Sequence, residues 1–195
     1  MSDSVKMSLE LFIITAVAAL ALGVTHAVTE EPIRQQNELA GIESRKAVLP
    51  DGEEFIEVDT ARYRAEYPGI IEVFEGRKGS TEVGYVFKIL SKGYGGNMEL
   101  YIGINTSESK LDGVTIASHS ETPGLGANAA EPGFLGQFYG KPVISPLTVV
   151  KGDSGNAEEV EAITGATIST KAVVEGVNEA ILFYNQVLRD GGEAR

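Results

Sequence analysis

Seven consecutive residues, Thr164-Gly165-Ala166-Thr167-Ile168-Ser169-Thr170, hold four hydroxyls and one glycine. Directly after them Val174, Val177, Ile181, Tyr184 and Leu188 recur at spacings of three and four, which predicts one apolar helix face with Gly191-Gly192 as its stop. A helix N-terminus leaves about four backbone N–H groups without partners, and its dipole favours an anion. The hydroxyl-rich segment is therefore a candidate phosphate site. The same residues admit a plainer reading, in which Ser169 or Thr170 caps the helix and the other hydroxyls face water. The Gly-x4-Gly-Lys spacing of a P-loop is absent.

Two glycine clusters stand upstream. Gly93-Tyr94-Gly95-Gly96-Asn97 joins two strand-like runs, and its length suits either an ordinary hairpin connection or a loop that approaches a ligand closely. Ser118-His119-Ser120-Glu121-Thr122-Pro123-Gly124-Leu125-Gly126-Ala127 is longer and polar, with Pro123 to stiffen it, and reads as a ligand loop. His119 is either a proton donor or hydrogen-bond partner at a cofactor, or a loop residue that bonds to backbone. Tyr94 is either a stacking ring or a packed strand residue.

Composition narrows the chemistry. With no cysteine in 195 residues, the chain can hold no thiolate-bound iron–sulfur cluster, no cysteine zinc site, no thiol nucleophile and no disulfide. Any redox work needs a non-thiolate cofactor. The formal charge of −12 and the absence of a basic run argue against nucleic acid as a partner.

The elements that must position these residues follow from patterning. Leu11 to Val28 is eighteen residues without a formal charge if His26 is neutral, about 27 Å as a helix, the length of a membrane span. The exit through Thr25-His26-Ala27 is a poor signal-peptide cleavage site, so an uncleaved anchor is expected over residues 1–28. Thr29 as a cap with Pro32 in the first turn predicts a second, stalk-like helix over 29–49. One domain is expected over 50–195, of α+β class: a mostly antiparallel sheet with packed helices. Its strands are expected at Phe55–Val58, Ile70–Phe74, Val83–Leu90, Met98–Ile104, Val114–Ala117 and Leu147–Val150, with a helix within Ala129–Tyr139.

Glu161-Ala162-Ile163-Thr164-Gly165-Ala166-Thr167 resembles the flavinylation signal of the FMN-binding domain family: an acidic residue, two of any kind, Ser or Thr, then Gly-Ala-Thr. Aspartate is usual in the first place, where this chain has Glu161. The resemblance implies that a flavin transferase of the ApbE type attaches FMN by a phosphoester to the Thr167 hydroxyl, with Thr164, Gly165, Ala166, Ile168 and Ser169 around the phosphate. His119-x-Glu121-Thr122-Pro123-Gly124-Leu125-Gly126 and Gly93-Tyr94-Gly95-Gly96 match as well. They imply that Thr122, Pro123, Gly124, Leu125 and Gly126 wall the flavin ring, that Glu121 meets ring N–H or ribityl hydroxyls, and that His119 and Tyr94 lie nearby.

With its N-terminal anchor, nearly the whole chain is similar to the G-subunit family of the Rnf ion-translocating ferredoxin:NAD+ oxidoreductases. The C subunit of the sodium-pumping NADH:quinone reductase shares the motif and topology but is typically longer. The resemblance implies a single-pass inner-membrane protein that carries electrons within a translocase and has no complete active site of its own. Its flavin domain would lie outside the cytoplasm. Its implied partners are the other membrane subunits of the Rnf complex, among them a second flavin-carrying one and iron–sulfur subunits. An anchored flavin carrier serving another reductase is the alternative.

Overall fold

The computed structural model describes residues 3–152 and 154–189, so the expected stop at Gly191-Gly192 lies outside the described residues. Helix α1 (Asp3–Val48) runs for 46 residues, about 69 Å at 1.5 Å per residue. Its apolar stretch is wholly exposed and is long and apolar enough to cross a membrane. No second helix starts at Thr29. The hydroxyls of Thr25 and Thr29 donate back to the carbonyls of Ala21 and Thr25 at 2.9 and 2.8 Å, which satisfies them inside the helix. Pro32 sits within it, and its missing N–H leaves an exposed carbonyl one turn back for solvent.

The chain divides into two compact units between Gly41 and Ile42. The second unit is built on five strands: β1 (Glu54–Glu57), β2 (Ile70–Lys78), β3 (Thr81–Lys92), β4 (Asn97–Asn105) and β5 (Lys110–Ser118). They form an antiparallel meander in chain order, as the short connections from β2 to β5 dictate, while β1 reaches β2 through the longer segment 58–69. Where a helix was expected within Ala129–Tyr139, residues 126–138 are two 3-10 turns flanking a single α turn, α2 (Pro132–Leu135). Pro132, Gly133 and Gly136 explain the interruption. Strand β6 (Thr148–Val150) pairs in parallel with β7 (Glu159–Glu161), a strand the sequence pattern did not announce. Helix α3 (Thr167–Phe183) continues into a π-helical turn over Tyr184–Arg189.

Helix α3 lies on one face of the sheet. Val174, Val177, Ile181 and Tyr184 from the expected stripe are all buried, with Val173 and Ala180 beside them. Phe183 anchors the far end, its ring edge-on to Tyr67, Tyr63 and Phe87 at 5.0, 5.4 and 6.0 Å between centroids. Near the other end the Ser91 hydroxyl donates to the Ala172 carbonyl at 2.7 Å, which ties the start of α3 to the end of β3. The opposite sheet face carries a smaller core of Val48, Leu49, Phe74, Val86 and Tyr101. Helix and sheet thus bring the first turn of α3 beside the β3–β4 hairpin.

Candidate functional site

The segment that enters α3 is shaped by one turn and one side chain. Ile163 to Ala166 form a β-turn, closed by the Ala166 N–H donating to the Ile163 carbonyl at 3.0 Å. Gly165 takes its third position at φ +79°, a conformation that favours glycine. Thr170, fully buried, accepts the Ile163 N–H on its hydroxyl oxygen and donates to the Ala166 carbonyl, both at 3.1 Å. Its hydroxyl therefore locks the incoming loop. No side chain caps the helix at Ala166, so the N–H groups of Thr167, Ile168 and Ser169 lie at an open N-terminus. The capping alternative for Ser169 and Thr170 does not occur.

The second loop is stiffened in the same way. Leu125 N–H donates to the Thr122 carbonyl at 3.2 Å, with Pro123 second and Gly124 third at φ +75°, the requirements of a type II turn. Glu121 is buried at 6% exposure. One carboxylate oxygen accepts from the Ser169 hydroxyl at 2.6 Å and the other from the Gly95 N–H at 2.9 Å, so a single side chain joins the hairpin, the loop and α3. A Cβ on Gly126 would collide with that carboxylate, which is why the position is glycine. His119 is exposed, and its Nδ1 accepts the Glu121 N–H at 3.2 Å, a bond to the loop's own backbone.

Between these three elements lies a cavity of about 450 Å³, within the range of small-molecule and cofactor sites. Tyr94, Leu125 and Ile168 give it exposed apolar walls, while Glu121, Thr122 and Ser169 give it polar lining. Gly126, Gly165, Ala166 and Thr167 complete it. Thr164, His119, Pro123 and Gly124 shape or border the loops without lining the cavity. Thr167 is half-buried, and among the described residues its hydroxyl makes no hydrogen bond. The Ser169 hydroxyl is committed to Glu121, which leaves the Ser169 backbone N–H as its free donor.

Two residues that sequence reasoning passed over hold the approach to Thr167. Gln137 brackets Glu161 of β7, accepting its N–H at 2.8 Å and donating to its carbonyl at 3.4 Å. Lys141 donates to the carbonyls of Ala157 and Glu159 at 2.9 and 2.6 Å, and burial pushes its ammonium below the ordinary lysine value. No local pattern marks either one, because Gln137 and Glu161 are 24 residues apart.

The residues present suit a nucleotide with an aromatic ring: open helix N–H groups for a phosphate, a hydroxyl among them, and apolar walls beyond. The sequence pattern of the family described as FMN-binding domain matches residues 93–182, which takes in the β3–β4 loop, the second loop and all but the last residue of α3. The chain is 37% identical to the G subunit of the Na(+)-translocating ferredoxin:NAD(+) oxidoreductase complex of Acetobacterium woodii, over 93% of this chain and 92% of that one. It is 34% identical to the G subunit of the proton-translocating ferredoxin:NAD(+) oxidoreductase complex of Clostridium ljungdahlii, over 85% and 83% respectively. A crystal structure of the C subunit of the Na(+)-translocating NADH-quinone reductase from Parabacteroides distasonis aligns with a TM-score of 0.48 at 22% identity, over 77% of this chain and 94% of that one. With residues 93–182 matching the FMN-binding domain pattern, the chain belongs to the G-subunit family of the ion-translocating ferredoxin:NAD(+) oxidoreductase complexes.

Proposed function

We propose that this chain is a membrane-anchored electron carrier that holds FMN covalently, through a phosphoester on Thr167, within an ion-translocating ferredoxin:NAD(+) oxidoreductase complex. The observation that carries the reading is the position of the Thr167 hydroxyl, without a hydrogen-bond partner among the described residues, on the uncapped first turn of α3 and in the wall of the cavity. In maturation the hydroxyl loses its proton and forms an O–P bond to the FMN phosphorus of FAD. The pyrophosphate linkage breaks and AMP leaves, with a flavin transferase as catalyst. The N–H groups of Thr167, Ile168 and Ser169 would then donate to the ester's phosphate oxygens.

When bound, FMN supplies reversible electron transfer, while the protein's part is binding, orientation and electrostatics. Tyr94, Leu125 and Ile168 offer apolar surface to a flat ring. Because that surface is exposed at 73%, 45% and 54%, a ring held there stays within reach of partner subunits. The charge-free stretch of α1 supports an anchor that keeps the carrier beside those partners.

Acid precipitation tests the attachment. The full chain, produced in cells that contain a flavin transferase, should carry flavin absorbance into the acid-washed pellet, and Thr167→Ala should carry none. Flavin that washes out of the unsubstituted chain, or that stays with Thr167→Ala, contradicts the reading.

A further inference from the structure

Glu121 lines the flavin cavity, yet both of its oxygens face inward to protein donors, and the electron-carrier reading leaves its charge without a task. Among the described residues it is the one acidic side chain so deeply buried. Its setting is built for a fixed anion. A backbone N–H and a hydroxyl donate to it from two different elements, the His119 ring holds its own N–H, and Gly126 leaves the space it fills. The N-terminal turn of α3, which carries Ser169, adds its dipole. A carboxylate held this way cannot swing out to water, and solvent ions screen a buried charge weakly.

We propose that Glu121 sets the reduction potential of the flavin by fixing one negative charge in the cavity lining; the inference rests on the FMN reading above. Two-electron reduction of an oxidised flavin with uptake of one proton adds one negative charge. The electrons come from a reduced iron–sulfur or flavin centre of a neighbouring protein in the complex. A stationary carboxylate opposes the added charge and holds the equilibrium toward the oxidised form, so it lowers the potential.

Glu121→Gln keeps the side chain's length and an acceptor for the Gly95 N–H while removing the charge. Glu121→Asp keeps the charge. Reductive titration of the FMN-loaded full chain with dithionite at one fixed pH should place the Gln variant's equilibrium about tenfold nearer the reduced form, a rise of about 30 mV for a two-electron couple. The Asp variant should stay within about twofold of the unsubstituted chain, about 9 mV. So should Glu175→Gln, whose exposed carboxylate lies farther along α3. A potential that ignores Glu121→Gln, or that shifts equally in the Gln and Asp variants, overturns the proposal.

If the Gln variant does not fold, the unsubstituted chain decides. Its reduction equilibrium should change less than about twofold between roughly 0.1 and 1 M salt, because the charge that sets it is enclosed. A larger rise assigns the potential to the surface charge and overturns the role of Glu121. A chain that acquires no FMN at all fails the functional reading instead, and the two failures are thereby distinct.

Discussion

Asp112 shows what a single half-buried charge does to this fold. Burial holds its carboxyl above the ordinary carboxylate value, the Asn105 amide opposes this by donating at 3.3 Å, and the carboxylates of Asp51 and Glu108 raise it further. The folded state therefore binds this proton more tightly than the unfolded chain does. The resulting stability is present below the ordinary value of 3.8 and is lost as pH rises through the raised folded value. Asp112→Asn retains an acceptor for Asn105 and removes the charge. Its Tm should exceed that of the unsubstituted chain at neutral pH and converge with it as pH falls to about 3.8; a gap that widens on acidification contradicts this.

At this same scale the hydroxyl run before α3 was legible in the sequence, but the division of labour within it was not. Ser169 finds its partner 48 residues away, and Thr170 turns back on its own loop, so two apparent caps became two ties. His119 could not be decided from the sequence either, because its bond is to the backbone two residues on, which any loop histidine can make.

Among the elements, α3 does the most to place the site, since its first turn holds Thr167 and its last packs Phe183 among three aromatic rings. Phe183→Ala should cost about 3–5 kcal/mol in denaturant unfolding, with the m-value unchanged. A loss below about 1 kcal/mol would mean that α3 is not held through that cluster. The antiparallel meander and the apolar stripe of α3 could be read from the chain because period two and period 3.6 are local signals. The failures were at short elements. Glu159–Glu161 carries two acids around one valine and becomes a strand through parallel pairing with Thr148–Val150. The helix expected within Ala129–Tyr139 is instead divided into single turns by Pro132, Gly133 and Gly136.

For the molecule as a whole, the compact unit begins at Ile42, before the end of α1, and takes Val48 and Leu49 into its second core at 1% and 0% exposure. A chain starting at Ile42 should fold as a soluble domain. One starting at Asp51 should lose roughly 3–6 kcal/mol from the two missing apolar side chains, seen as a lower Tm. Equal melting of the two would contradict the packing of that segment. The apolar stretch of α1 was legible from its uncharged length alone, but the unbroken course of α1 through Pro32 was not, since proline usually marks a boundary.

The central claim concerns one bond, and the intact mass of the protein purified from its native cells reads it directly. The expected mass is that of the polypeptide plus FMN less one water, with the increment on the peptide that contains Thr167. A native chain whose mass is that of its amino acids alone would contradict it.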